Sequence, residues 1–232
     1  LNLYNITNKV FMNEKPDLRM SLMIGEFRLH GVEVVESRIG MLNPNTIRLK
    51  QEGRSPIYGT ATDDTHDYHI GDYVMNAPGT SWVMVQAREL TPNSITAAME
   101  EGQFYATTGV ILSELAFDEE KQTLTVEVDE KAGVNYRIEF KGSLKDVSLD
   151  FEPVDDVVDN KGLAHPVTGN YPDAGIGMTF QEIEGSKATY QVSGDALYVR
   201  AVIHCDAPPY FKYDEFSDME QKAWTQPVGW RH

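Results

Sequence analysis

The sequence predicts an α/β first part, residues 1–112, followed by a small antiparallel β-sandwich, residues 113–232. Three observations carry this expectation. Strand-like and helix-like segments alternate up to residue 112, as parallel βα units do. Beyond about Ile111 the helix grammar stops. In its place come short segments of strict apolar–polar alternation, the period-2 signature of half-buried strands, separated by turn residues.

In chain order, residues 1–6 (Leu-Asn-Leu-Tyr-Asn-Ile) alternate and read as a strand, and the stretch to about Phe27 has no clean period. Residues 31–36 (Gly-Val-Glu-Val-Val-Glu) read as a strand because β-branched residues follow a glycine. Glu33 and Glu36 then fall on opposite faces and cannot share a site. Asn43-Pro44-Asn45 is a turn, and residues 46–52 suit a short helix stopped by Gly53. Residues 57–62 read as a buried strand, and residues 82–87 (Trp-Val-Met-Val-Gln-Ala) as another. Residues 91–102 have the grammar of a helix: Thr91 as cap, Pro92 in the first turn, Ala and Met in the middle and Gly102 as stop.

In the second part, residues 123–129 (Thr-Leu-Thr-Val-Glu-Val-Asp) and 135–140 (Asn-Tyr-Arg-Ile-Glu-Phe) alternate cleanly around a turn at Lys131-Ala-Gly133. They are expected to pair as an antiparallel hairpin. Residues 154–172, rich in Asp, Gly, Pro and Asn, read as a long loop. Residues 188–192 and 198–204 add two strands joined by Ser193-Gly194-Asp195.

The chain carries a net charge of −16. Residues 1–112 hold 9 basic and 13 acidic side chains, a balance of −4, and residues 113–232 hold 11 and 23, a balance of −12. Such a surface repels nucleic acid and anionic membranes. No apolar run approaches the ~18 residues of a membrane span. The single cysteine, Cys205, excludes an intrachain disulfide and a cysteine-rich zinc site, and its apolar surroundings read as core. Composition leaves the compartment open.

The densest chemistry lies in Ala61-Thr-Asp-Asp-Thr-His-Asp-Tyr-His69, which packs three aspartates and two histidines into nine residues. Residues i and i+2 of an extended chain share a face, so Asp64 and His66 can aim a carboxylate oxygen and an imidazole nitrogen at one point. That is a two-ligand half-site for zinc, manganese or iron. The alternative is a polar loop whose aspartates cap turns.

Three segments, in this order, resemble the polymerase and histidinol phosphatase (PHP) family of metal-dependent phosphoesterases. Gly31-Val-Glu-Val-Val-Glu-Ser37 is similar to a family strand of the form G-[IV]-E-[VA]-x-N. Tyr58-Gly-Thr-Ala-Thr-Asp-Asp-Thr-His66 is similar to the strand-end D-x-H that closes the family's metal site. Residues 82–109 resemble the tail W-V-x-V-x-A-x-E-L-T … G-x-F-Y-A-S-x-G. The likeness extends loosely to a β-appendage through Tyr198-Val-Arg200 and Ala223-Trp-Thr-Gln-Pro227.

The resemblance implies a partial, distorted (β/α)7 barrel before the β-sandwich, with metals gathered at the strand ends. It implies Asp64 and His66 as metal ligands and Asp63 as a neighbouring carboxylate that orients His66 or bridges through water; His69 is a further candidate only by its proximity. It also implies two or three divalent transition ions (Zn, Mn or Fe) and a small phosphorylated substrate. The family's His-x-His strand is absent from the chain, so the remaining ligands are expected upstream of Leu1. A reading of a different class is a binding or scaffold protein holding a degenerate remnant of the site.

Other candidates have simpler explanations. Arg88-Glu89 suits a surface ion pair, and Phe104 and Tyr105 suit the core. His165 lies in a polar loop, and His204 lies in a strand where either face is open to it. Trp224 and Trp230 raise stacking on a sugar ring, but packing explains them equally.

Overall fold

The computed structural model describes residues 58–61, 81–148, 157–158, 164–165, 174–175, 177–208 and 220–229. Within them the chain forms β1 (Trp82–Val85), the helix α1 (Pro92–Glu100), β2 (Phe104–Thr107), β3 (Leu112–Asp118), β4 (Thr123–Val128) and β5 (Tyr136–Leu144). It continues with β6 (Val157–Val158), β7 (Ala164–His165), β8 (Met178–Glu184), β9 (Lys187–Gln191), β10 (Ala196–Cys205) and β11 (Gln221–Thr225).

Six strands form one antiparallel sheet in the order β1-β2-β11-β10-β5-β8, and three form a second in the order β3-β4-β9. β6 and β7 make a two-residue ladder within the stretch expected to be loop. The two larger sheets share one core. Ile138, Phe140, Val199, Ala201 and Ile203 of the six-stranded sheet cluster with Leu124, Val126, Val128 and Ala188 of the three-stranded one. Directly paired residues point to the same face. Across the six-stranded sheet the row Trp82, Thr107, Ala223, Ile203, Ile138, Ile183 therefore faces this core. β4 shows the consequence of alternation. Leu124, Val126 and Val128 are buried, while Thr123, Thr125 and Glu127 turn outward, where Thr125 meets Thr189 at 3.3 Å. Burying each such aliphatic side chain contributes about 1.5–3 kcal/mol.

The opposite face of the six-stranded sheet carries the row Val83, Ala106, Trp224, Val202, Glu139, Glu182. Its middle is covered as well, while Glu182 at the β8 edge is exposed. All ten residues of β10 are buried, including Arg200, Val202 and His204 on this outer face.

The expected α/β architecture with a partial (β/α)7 barrel is overturned. The described residues form mostly antiparallel sheet with one short helix. β1 and the helix after it read as a parallel βα unit, yet the strand that follows, β2, is an antiparallel neighbour of β1 with Trp82 opposite Thr107. A helix between two strands fits either direction; α1 here spans a loop that returns the chain alongside β1. The expected hairpin of residues 123–129 with 135–140 is also corrected. β4 pairs with β3 and β9, β5 pairs with β10 and β8, and the link between them crosses from one sheet to the other. Residues 188–192 and 198–204 likewise belong to different sheets. Of the strand expected at residues 57–62, the described residues 58–61 join no ladder. The expectations for residues 1–6, 31–36 and 46–52 lie outside the described residues. The six-stranded sheet draws β1 and β2 from before residue 112 and its other four strands from after it.

Candidate functional site

The sequence-predicted ligands Asp64 and His66, and their neighbours Asp63 and His69, lie outside the described residues. The segment that leads into them is described, and it is fastened to the six-stranded sheet. The Gly59 N–H donates to Gln226 Oε1 at 2.9 Å, and Gln226 Nε2 donates back to the Gly59 carbonyl at 2.7 Å. This side chain thus satisfies both backbone groups of a residue that belongs to no strand. Tyr58 sets its ring edge-on to Phe104, with centroids 6.1 Å apart. The same ring lies against Gly102, where a Cβ would collide with it. Gly102 also has φ +73°, so the helix stop and the Tyr58 contact both call for glycine. Ala61 is 4% exposed and packs with Ala106, Val202 and Trp224 on the outer face of the sheet. Trp224 is therefore a core residue, and the sugar-stacking idea does not apply to it. Trp230 lies outside the described residues.

Beside that apolar patch, in the same row of the sheet, lies a buried ionic cluster. Glu139, 8% exposed, accepts from Arg137 and, at 3.5 Å, from Lys141 on its own strand. His204 Nε2 approaches Glu139 Oε1 at 3.3 Å, and His204 Nδ1 approaches Glu220 Oε2 at 3.3 Å. Arg137 also donates to Glu182 at 3.0 Å, and Lys222 Nζ lies 3.9 Å from Glu220. The neighbouring imidazole, with help from Arg137 and Lys141, holds the Glu139 carboxyl down to about 2 despite its burial. The Glu139 carboxylate is thus met by Arg137 and Lys141 and flanked by His204, and such pairing is the condition for burying it at all.

Sequence reasoning missed this cluster. Arg137, Glu139 and Lys141 alternate with Tyr136, Ile138 and Phe140, and alternation assigns such charges to a solvent face. The available signal was His204, a lone histidine in an apolar strand, and it named no partner. Among the described residues no group of three or more His, Cys, Asp or Glu side chains is arranged to hold a metal ion. The cluster is thus an ion network that ties β5, β10 and the start of β11 together. Phe104, Tyr105 and Cys205 are buried, as their sequence context suggests, whereas His165 lies in β7 rather than in a loop.

No helix among the described residues is long and apolar enough to cross a membrane. No protein-family model matches the chain, and no curated protein and no solved structure is detectably similar to it.

Proposed function

We propose that the chain belongs to a metal-dependent hydrolase acting on phosphate esters, with Asp64 and His66 as two of the metal ligands and Asp63 orienting His66. The observation that carries this reading is the pairing of a strand-end-like Asp-x-His with a firmly anchored approach. The chain up to Ala61 is clamped by Gln226, Phe104 and Trp224 only three residues before Asp64. Ligand pairs need such support, because a loosely held carboxylate and imidazole lose in chain entropy what they gain in coordination. The resemblance of residues 31–37, 58–66 and 82–109 to the PHP family supports the same reading. Divalent transition ions held there would activate water near neutral pH and polarise the phosphoryl group. The acidic surface fits a small substrate drawn in by the metal site and disfavours nucleic acid.

The test is elemental analysis of the purified chain after loading with Mn²⁺ or Zn²⁺ and desalting. Retained metal is expected to fall at least tenfold when Asp64→Ala and His66→Ala are combined, since ligands act as a unit. Equal retention by the double variant would overturn the ligand assignment. A metal-loaded protein with a complete ligand set that leaves 4-nitrophenyl phosphate uncleaved, with or without chelator, would overturn the phosphoesterase reading and favour a binding or scaffold role.

A further inference from the structure

The six-stranded sheet is wider than the three-stranded sheet it faces. At one end the inner face of β1 and β2 looks across at β3, an edge strand of the smaller sheet. A cavity of about 350 Å³ lies between them. Its apolar walls come from Met84, Leu115, Phe117 and Val228. Met84 is 36% exposed, and Leu115 and Phe117 are only partly buried, so packing among the described residues leaves this apolar surface open. The volume lies at the lower end of the range for small-molecule sites.

Two features set what the cavity accepts. Among the described residues no Asp, Glu, Lys, Arg or His lines it; its polar lining there is amide, hydroxyl and backbone. A charged ligand would be stripped of water with nothing to pair with. The second feature is Tyr105, 7% exposed. Its phenol oxygen accepts from the Leu112 N–H at 3.0 Å, which leaves the hydroxyl proton without an acceptor among the described residues. Burial raises the phenol's pKa, so at neutral pH the proton stays on the oxygen. The result is a directional phenolic donor, beside neutral amide and hydroxyl groups, in a recess with apolar walls and no charged side chain among the described residues.

We propose that this cavity binds a small uncharged molecule with an apolar body and a carbonyl- or ether-type oxygen, which Tyr105 Oη receives as hydrogen-bond donor. The site stands apart from the phosphate chemistry proposed for Asp64 and His66, because a phosphate ester is too strongly charged for it. It is an accessory site for a neutral ligand.

The test uses ¹⁹F NMR on the whole chain with three probes: 4-fluoroacetanilide, 1-ethyl-4-fluorobenzene and 4-fluorobenzoate. The first carries the acceptor, the second lacks it, and the third replaces it with a charge. Saturable binding of 4-fluoroacetanilide is expected, with 4-fluorobenzoate at least tenfold weaker. Tyr105→Phe should weaken 4-fluoroacetanilide about fivefold, the value of one ordinary hydrogen bond, and leave 1-ethyl-4-fluorobenzene unchanged. Leu115→Trp, at a partly exposed position, should fill the cavity and abolish binding of both neutral probes while the chain stays folded. Absence of saturable binding, equal binding of 4-fluorobenzoate, or binding that survives Leu115→Trp would overturn the proposal. If Tyr105→Phe fails to fold, the probe comparison and Leu115→Trp still decide it.

Discussion

Glu139 shows how a single side chain couples this fold to pH. Its carboxyl is held near 2, against an ordinary value of 4.5, chiefly by His204. A depressed folded-state pKa gives stability that is fully present above the unfolded value and is lost as pH falls from 4.5 towards 2. The shift corresponds to a contribution on the order of 2–3 kcal/mol. Glu139→Gln is expected to lose about that much at pH 7 and to show a flatter stability profile between pH 4.5 and pH 2. Urea unfolding of both proteins at pH 7 and pH 3 checks this: a variant as stable as the parent at pH 7 would dissolve the argument. Nothing in the sequence around Glu139 announces the role. Arg137 and Lys141 are visible in the same strand, but His204 lies 65 positions along the chain, and only the β5–β10 register brings it alongside.

At the scale of elements, what depends on neighbours in sequence was legible and what depends on distant partners was not. The helix α1 was readable because its signals are local. Thr91 Oγ1 accepts from the Ser94 N–H at 3.3 Å, Pro92 stands in the first turn, and Gly102 takes the positive φ that follows the last turn. The cap satisfies a backbone donor that the helix itself cannot. Only Ala98 of this helix is buried, so the cap matters more here than in a helix held by packing. Thr91→Ala is expected to cost about 1 kcal/mol and to speed amide exchange through residues 94–101 ahead of the β10 amides. Uniform acceleration across both would show that α1 opens only with the whole fold. Five of the strands were readable too, near 82–87, 123–129, 135–140, 188–192 and 198–204, since alternation and β-branching are local. Their partners were not. Alternation tells a strand that one face is buried, but not which sheet buries it, and so two sequence neighbours were assigned to one hairpin when they stand in opposite sheets.

For the molecule as a whole, the six-stranded sheet makes a prediction about truncation. β2 pairs with β11 through Ala223–Thr107, Trp224–Ala106 and Thr225–Tyr105, and Tyr105 and Val110 belong to the shared core. A fragment of residues 113–232 would expose that edge of β11 and lose those side chains. A fragment of residues 81–232 is expected to unfold at clearly higher urea than one of residues 113–232, with a larger dependence on denaturant because it buries more surface. Matching midpoints would show that β1 and β2 add nothing to the β-structure. The sequence by itself determined the segments that became β1, α1, β4, β5, β9 and β10, the core character of Phe104, Tyr105 and Cys205, the acidic balance, and the one dense set of metal-type donors at residues 61–69. The tertiary structure alone decided that neighbouring strands run antiparallel, that the sheets face each other across Ile138, Val126 and Ile203, and that charges on β5 are buried with His204. The physical reason is range. Backbone propensity, capping and periodicity act over a few residues, whereas strand direction, register and ion pairing are set by contacts between segments far apart in the chain.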